Sequence, residues 1–308
     1  GAMQKILIAM DRLLCWAATN IYPEGQGVKN DLINYKITDE PLKVLANGNV
    51  NGIDLQHFDP EMVSPDAQQQ LKNELGITEN DFVFIFVGRL VSDKGINELI
   101  SAFSALTHPP VIASEAKQSH LTPKTQHSKL NTHSASEAKQ SHPKLNTQNS
   151  TPKTPKLLLV GPLETDLDPL RSETLEKIEN HPGIISVGFQ SDVRPYFAIS
   201  DALAFPSYRE GFPNVVMQAG SMGLPSIVTD INGCNEIIEE GKNGLIVPAK
   251  DENALAKAMA RLIEDVPLYD RLQSNARGMI TSRYEQHVVW EALLEEYQRL
   301  IEEHKNNK

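Results

Sequence analysis

Residues Phe205 to Gly223 read FPSYREGFPNVVMQAGSMG, and Phe205 is also the last residue of the apolar run Ala202 to Phe205. The run stops at Pro206, and a polar turn then leads into a helix-like stretch from Val215 to Met222. A strand, a tight loop and a helix in this order form the repeating unit of an α/β fold. An ordinary turn of such a sheet explains the pattern as well as a binding loop does.

The loop and the start of its helix also have the features of an anion site. Gly211 lets the backbone approach a ligand closely, and Pro213 suits the first turn of a helix, where its missing N–H costs nothing. Free amides at a helix start attract anions, phosphate above all. Glu210 precedes the site and Gln218 lies one turn into the helix. An acidic group and an amide therefore flank a place suited to a phosphorylated ligand.

The same alternation of strand and helix recurs on both sides of this unit. Apolar runs predict buried parallel strands at 82–87, 157–160, 184–187, 202–205, 226–229 and 245–247, with another short strand at 43–46. Helical periodicity predicts helices at 4–18, 66–75, 96–106, 252–264, 267–281 and 285–304, and shorter ones near residues 175, 196, 217 and 237. This order predicts an α/β fold, a doubly wound parallel sheet with flanking helices.

Residues 108–156 interrupt the alternation. They are rich in Ser, Thr, Lys, Gln, His, Asn and Pro, and the heptapeptide SEAKQSH occurs at 114–120 and again at 136–142. Such low-complexity composition cannot bury a core, so we predict a disordered insert. Its five histidines are irregularly spaced, which favours solvated side chains over a metal site. Because the insert joins a helix end to a strand start, we expect it opposite the ligand cleft.

Composition limits the classes of partner and compartment. The net charge of -11 argues against a nucleic-acid partner and against general attraction to an anionic membrane. No apolar run approaches the length of a membrane span, and the N-terminus lacks a signal-peptide pattern, so we expect a cytoplasmic protein. Cys15 and Cys234 lack metal-ligand spacing and are interpreted as packing residues.

Loops at the carboxyl ends of the predicted strands meet at one edge of the sheet. They cover residues 88–95, 161–164, 188–192 and 208–214. Arg89 and Lys94 lie on the first loop, where they can meet a phosphate, and Glu210 faces the same crevice from the last loop. A diphosphate held by two cations and a helix start is a good leaving group, because these interactions strengthen as negative charge develops on it.

Three separated stretches carry a family resemblance. They are FVGRLVSDKGINELISAF at 86–103, LLLVGP at 157–162 and SDALAFPSYREGFPNVVMQAGSMGLPSIVTDINGCNEIIEEGKNGLIVP at 200–248. In this order they resemble the donor-binding half of retaining glycosyltransferases of family 4 (group 1), most of all those that build bacterial surface polysaccharides. The resemblance covers about 42–300 apart from the insert and implies that the sheet is the Rossmann-like half of a GT-B fold.

The resemblance also implies roles for individual residues. Arg89 and Lys94 would bind the donor diphosphate, and Glu210 would contact the transferred sugar as a catalytic residue. Gln218 stands where the family has a second glutamate that holds the ribose; its amide can still hydrogen-bond a hydroxyl, but without charge assistance. The other donor-binding residues implied by the family are Gly88, Gly161, Gly188, Phe189, Gly211, Phe212, Pro213, Asn214 and Val215.

The family's domain organisation implies an N-terminal acceptor domain as well. Residues 1–38 resemble the last helix and connector of that domain, residues 39–107 and 157–308 form the donor domain, and residues 108–156 form the insert. We therefore expect a truncated enzyme. The donor domain would form only one wall of the cleft, so it would not by itself hold donor and acceptor in contact.

The triplet Asp166-Leu167-Asp168 mimics a metal-binding motif of a different glycosyltransferase fold. Two cations already neutralise the diphosphate, and the fold that this chain resembles is metal-independent. We therefore interpret the triplet as a solvated loop and expect neither a metal nor a cofactor.

Three functions are consistent with these features. The main hypothesis is a glycosyltransferase that transfers a hexosyl group from a nucleotide-diphosphate sugar to a glycan or lipid-linked acceptor with retention of the anomeric configuration. We also expect peripheral association with the inner membrane. The alternatives are an inactive nucleotide-sugar-binding fragment and a sugar-nucleotide epimerase on the same fold.

Overall fold

A parallel sheet forms the centre of the computed structural model, which describes residues 1–107 and 153–306. Within those residues the strands are β1 (Asp81–Val87), β2 (Thr154–Val160), β3 (Ile184–Gly188), β4 (Ala202–Phe205), β5 (Ser226–Thr229) and β6 (Gly244–Val247). All neighbours are parallel, and the order across the sheet is β3-β2-β1-β4-β5-β6. The chain thus starts in the middle and winds outward in both directions, which confirms the doubly wound α/β fold.

The helices that surround the sheet agree with the predicted periodicity. They are α1 (Ala2–Ala17), α2 (Gln26–Asn34), α3 (Pro65–Leu75), α4 (Ile96–Thr107), α5 (Ser172–Asn180), α6 (Arg194–Ala198), α7 (Asn214–Ser221), α8 (Cys234–Ile237), α9 (Glu252–Glu264), α10 (Val266–Tyr284) and α11 (Gln286–Asn306). Short 3₁₀ helices lie at Pro60–Met62 and Ser92–Lys94.

The core forms where these layers meet. β1 is buried over nearly its whole length, because it lies inside the sheet with helices above and below. Helix α4 packs against α5 and α9, and α7 packs against α8 and α10, so the helices cover the sheet in two groups. The largest fully buried side chains include Phe84, Phe86, Phe103, Phe197 and Tyr284.

Two local predictions were wrong. Residues 43–46 form no strand; Ala46 makes only an isolated bridge to Gly48, and its positive φ of 48° turns the chain instead. Strand β2 begins at Thr154, inside the range assigned to the insert, because Thr154 pairs with Asp81 at the start of β1. Pairing with a buried neighbour overrides the local composition here.

The predicted disorder of the insert falls on residues 108–152, which lie outside the described residues. The described flanks agree with its predicted position, since α4 ends at Thr107 and β2 starts at Thr154. The assignments of residues 1–38 and 39–107 plus 157–308 to separate domains stay predictions.

Helix α1 keeps its apolar side chains in contact with solvent. None of its residues is buried, and Trp16 is 83% exposed. Arg12 links the helix to the next segment by donating hydrogen bonds to the carbonyl oxygens of Tyr35 and Lys36. Among the helices in the described part of the chain, none is both long enough and apolar enough to cross a membrane.

A cluster around Glu296 joins the N-terminal segment to helix α11. The carboxylate is 4% exposed and accepts hydrogen bonds from Tyr22 Oη at 2.7 Å, Lys43 Nζ at 2.5 Å and Arg299 Nη2 at 2.7 Å. The hydrogen bonds from Arg299, Lys43 and Tyr22 hold the pKa of Glu296 well below its ordinary value of 4.5. The charged carboxylate therefore stabilises the folded state.

We expect Glu296→Gln to lower the free energy of unfolding at pH 7 by about 1–3 kcal/mol, because charge-assisted hydrogen bonds are lost. A depressed pKa contributes stability above the unfolded value and loses it as pH falls. The difference between wild type and variant should therefore narrow below about pH 4.5. Urea unfolding between pH 3 and 7 measures this, and a difference independent of pH would contradict it.

Candidate active site

Three predicted glycines stand side by side at the carboxyl ends of β1, β2 and β3. The amide of Gly88 donates to the carbonyl oxygen of Val160 at 2.9 Å, and the amide of Gly161 donates to that of Gly188 at 2.8 Å. Gly161 has a φ of 146°, and a Cβ at this residue would lie 1.8 Å from the carbonyl oxygen of Gly88. The sheet therefore brings these three residues together, as the sequence predicted.

The loop that follows β1 carries both predicted cations, and each has its own carboxylate partner. Arg89 Nη1 lies 2.9 Å from Glu164 Oε2 on the loop after β2, and both side chains are partly exposed. Lys94 Nζ lies 2.5 Å from Glu210 Oε1 on the loop after β4. The two predicted cations are therefore paired with acidic groups from neighbouring loops.

The pair of Lys94 and Glu210 is the most enclosed ion pair of the predicted site residues. Their side chains are only 19% and 16% exposed. Partial burial strengthens the attraction and makes it costly to leave either group alone. An anion that binds Lys94 must compete with Glu210 or share the ammonium with it.

Backbone and side-chain contacts fix the loop that carries Glu210. The amide of Tyr208 donates to the carbonyl oxygen of Asp93 at 2.8 Å, and Tyr208 Oη donates to the buried carboxylate of Glu98 at 2.5 Å. Burial, with the hydrogen bond to Glu98, raises the pKa of Tyr208, so the phenol keeps its proton. Lys250 Nζ lies 4.6 Å from the centre of the same ring.

Helix α7 starts at Asn214, and Pro213 is the residue before it. The prediction that Pro213 lies in the first turn of the helix is therefore wrong. Pro213 has a φ of -74° and a ψ of 109°, an extended conformation that no helical residue adopts. No side chain of the described residues caps this helix start, so the amides of Asn214 and Val215 are free to bind an anion.

The other predicted residues divide between the cleft and the core. Phe212 is buried, and its ring packs edge-on against Tyr284 with centroids 5.5 Å apart, so it can offer a ligand only its backbone. Phe189 is 73% exposed beside Gly188, which leaves its ring available to a flat ligand group. Gln218 is partly exposed on α7.

The interpretation of the Asp166-Leu167-Asp168 triplet as a solvated loop is wrong for Asp168. Its Oδ2 accepts a hydrogen bond from the amide of Asp93 at 2.5 Å, and its carbonyl oxygen accepts one from the amide of Ser92 at 3.1 Å. Leu167 is exposed, as predicted. Asp168 therefore holds the loop that carries Lys94.

No sequence pattern predicted that the N-terminal segment and the 47–52 turn contact the elements around the loop after β4. Asn49 is buried, and its Nδ2 donates to Asn214 Oδ1 at 3.0 Å. Glu236 accepts hydrogen bonds from the amides of Gln26 at 2.7 Å and Gly27 at 2.9 Å. Only the Asn-Gly pairs near Asn49 hinted at a turn there; the acidic residues had no local signal.

The resulting arrangement combines cations, free amides and carboxylates in one place. Lys94 and the start of α7 can stabilise a phosphate, and Glu210 beside them can accept hydrogen bonds from hydroxyl groups. Of the three glycines, Gly188 has open space where a Cβ would stand, so a ligand can approach the backbone there, whereas Gly161 packs against the backbone of Gly88.

Comparison with known proteins shows similarity to glycosyltransferases. The family model described as "Glycosyl transferases group 1" matches residues 138–265. The capsular polysaccharide biosynthesis glycosyltransferase CapM of Staphylococcus aureus is 26% identical over 98% of this chain and 67% of its own length. An Escherichia coli UDP-Gal:alpha-D-GlcNAc-diphosphoundecaprenol alpha-1,3-galactosyltransferase is 24% identical over 80% of this chain, which covers 51% of that protein.

Solved structures support the fold. Anabaena HepE in complex with UDP and glucose superposes with a TM-score of 0.70 at 21% identity, over 96% of this chain and 67% of HepE. The C-terminal domain of the group 1 glycosyl transferase LpcC from Francisella tularensis superposes with a TM-score of 0.53 at 23% identity, over 76% of this chain and 99% of that domain. The chain spans between about half and two thirds of its full-length relatives. Residues 138–265 therefore match the group 1 glycosyl transferase family, and the parallel sheet has the fold of these solved glycosyltransferase structures.

Proposed function

We propose that this chain provides the donor-binding side of a retaining glycosyltransferase. The enzyme would transfer a hexosyl group from a nucleotide-diphosphate sugar to a glycan or lipid-linked acceptor during surface polysaccharide biosynthesis. Residues 1–38 would belong to the connector from an acceptor domain, and residues 39–107 with 157–308 to the donor domain. The pair of Lys94 and Glu210 beside the free start of α7 carries this proposal.

The charges suit the departure of a diphosphate. Lys94 and the amides of Asn214 and Val215 would hold the phosphates and stabilise the negative charge that develops as the glycosidic bond breaks. Arg89 would leave Glu164 to join them, which its exposed position permits. Glu210, released from Lys94, would accept hydrogen bonds from the sugar and orient it.

The nucleoside end would lie toward the glycine row. Gly188 and the exposed Phe189 would line the base, and Gly88 and Gly161, at the neighbouring strand ends, would lie beside the phosphates. Gln218 would bind the ribose through its amide. Neither a metal nor a cofactor is needed in this proposal, because the cations and the helix start supply the positive charge.

The names of the relatives support the substrate class. CapM is named for capsular polysaccharide biosynthesis, and the E. coli relative for transfer to a lipid-linked diphosphate sugar. By analogy, the enzyme would act in the cytoplasm at the inner membrane surface, without a nucleic-acid partner.

A thermal-shift screen against a panel of nucleotide sugars, followed by calorimetry, tests the proposal. We expect at least one nucleotide-diphosphate sugar to raise the melting temperature. A panel without any binding ligand would refute donor binding.

A donor-binding fragment without activity is the second candidate, because the chain spans only about half of the E. coli relative. A turnover assay with the bound donor separates the two. Sugar transfer or slow donor hydrolysis supports an enzyme, whereas binding without turnover supports the fragment. Conversion of the sugar without an acceptor would instead indicate an epimerase.

A further inference from the structure

The carboxylate of Glu24 lies against the loop that carries Glu210. Its Oε2 is 2.8 Å from the position that a Cβ on Gly211 would take, so the carboxylate occupies the space that a side chain at residue 211 would need. Glu24 precedes the core strands by more than 50 residues in sequence and reaches the loop only through the fold.

The backbone around Glu24 is held in place. Its carbonyl oxygen accepts a hydrogen bond from the amide of the buried Asn49 at 2.8 Å. The next residues are fixed by the carboxylate of Glu236, which accepts from the amides of Gln26 and Gly27. Asn49 also bonds Asn214, the first residue of α7. The position of Glu24 is therefore tied to the same loop and helix that form the candidate site.

The side chain of Glu24 differs from the other acidic groups of the site in its bonding. Glu210 is paired with Lys94, Glu164 with Arg89, and Asp168 with the amide of Asp93. Within residues 1–107 and 153–306, the Glu24 carboxylate has neither a hydrogen-bond donor nor a cation. It is partly buried and offers its lone pairs to the space beside Gly211.

Carboxylate chemistry limits what such a group can bind. An ionised carboxylate only accepts hydrogen bonds and repels phosphate, so it suits a hydroxyl donor and not the diphosphate. The Glu24 carboxylate lies against Gly211, the residue that follows Glu210 in the chain. In the proposed function Lys94 and the amides of α7 hold the phosphates instead. The acidic end of the site is thus the end where a hydroxyl-rich group would lie.

We propose that Glu24 is a specificity residue that accepts hydrogen bonds from hydroxyl groups of the transferred sugar. This inference rests on the proposed donor site. It assigns to the N-terminal segment a direct role in reading the sugar, separate from the residues that hold the nucleotide.

Calorimetry with two ligands tests the assignment. The probes are UDP and UDP-glucose, or, if another pair from the panel binds more tightly, that nucleoside diphosphate and its sugar conjugate. We expect Glu24→Ala to weaken binding of the nucleotide sugar about tenfold, the effect of one charge-assisted hydrogen bond, and to change binding of the nucleoside diphosphate less than about twofold. Glu24→Gln, which keeps the shape but loses the charge, should fall between wild type and Glu24→Ala.

Glu173→Ala on helix α5 is the matched control, since it removes an exposed carboxylate elsewhere, and it should change neither affinity. A second variant, Gly211→Ala, introduces a methyl group where the Glu24 carboxylate lies and should displace it. Adding Glu24→Ala to Gly211→Ala should then cause little further loss.

Other outcomes overturn the inference. Equal weakening of both ligands by Glu24→Ala would mean that the residue only supports the loop. Tighter binding of both would mean that its charge merely repels the diphosphate. If wild type binds no ligand of the panel, the proposed function itself fails, whereas unchanged binding in Glu24→Ala removes only Glu24.

Discussion

Lys94→Ala should weaken nucleotide-sugar binding by about 10- to 100-fold, which corresponds to about 1.5–3 kcal/mol for a hydrogen bond to a charged group. Lys94 is the more enclosed of the two predicted phosphate-binding cations, with a side chain only 19% exposed, and its interaction is weakly screened by solvent. The loss should affect the nucleoside diphosphate and its sugar conjugate alike, because both carry the same phosphates.

The partner of Lys94 sharpens this prediction. In Glu210→Gln the ammonium loses its competing carboxylate, so the affinity for a nucleoside diphosphate should stay the same or rise while sugar transfer falls. Calorimetry measures both variants, and Lys257→Ala on the exposed surface of α9 serves as the control. Unchanged affinity in Lys94→Ala would remove this residue from the site.

Gly161→Ala should lower the free energy of unfolding by about 3 kcal/mol or more. A φ of 146° is strained for any residue with a Cβ, at a cost of about 1–3 kcal/mol. The new methyl group would also lie 1.8 Å from the carbonyl oxygen of Gly88, so the backbone must shift, and overpacking adds about 1–3 kcal/mol. The shift would separate the ends of β1 and β2 and weaken nucleotide binding as well.

Gly76→Ala is the control that separates these two causes. Gly76 ends helix α3 with a φ of 66°, and a Cβ there would meet nothing within 4 Å. Only the backbone strain remains, so we expect a loss of about 1 kcal/mol and unchanged ligand binding. Urea unfolding compares the two variants. Similar losses at both glycines would show that the close approach to Gly88 contributes little.

The sequence predicted the fold from patterns that are local. The continuous apolar run at 82–87 marked a strand buried on both faces, and the alternation of such runs with helices fixed the parallel sheet. Because parallel strands present their carboxyl ends at one edge, the same pattern predicts that Gly88, Gly161 and Gly188 lie together, as they do in the structure. The strand predictions were wrong at 43–46 and 154–156, because strand formation there depends on hydrogen-bonding partners that the local sequence does not reveal.

For the candidate site, the sequence predicted which loops contribute residues but not which side chains contact one another. The sequence by itself indicated that Lys94 and Glu210 lie on two loops at the same edge of the sheet. The ion pair between them, and the one between Arg89 and Glu164, depend on the conformations of these loops in the folded chain. The sequence by itself also could not place Glu24 and Asn49 beside Gly211 and Asn214. These contacts join residues more than 150 positions apart, and no local periodicity records them, so only the tertiary structure decided which acidic groups meet at the site.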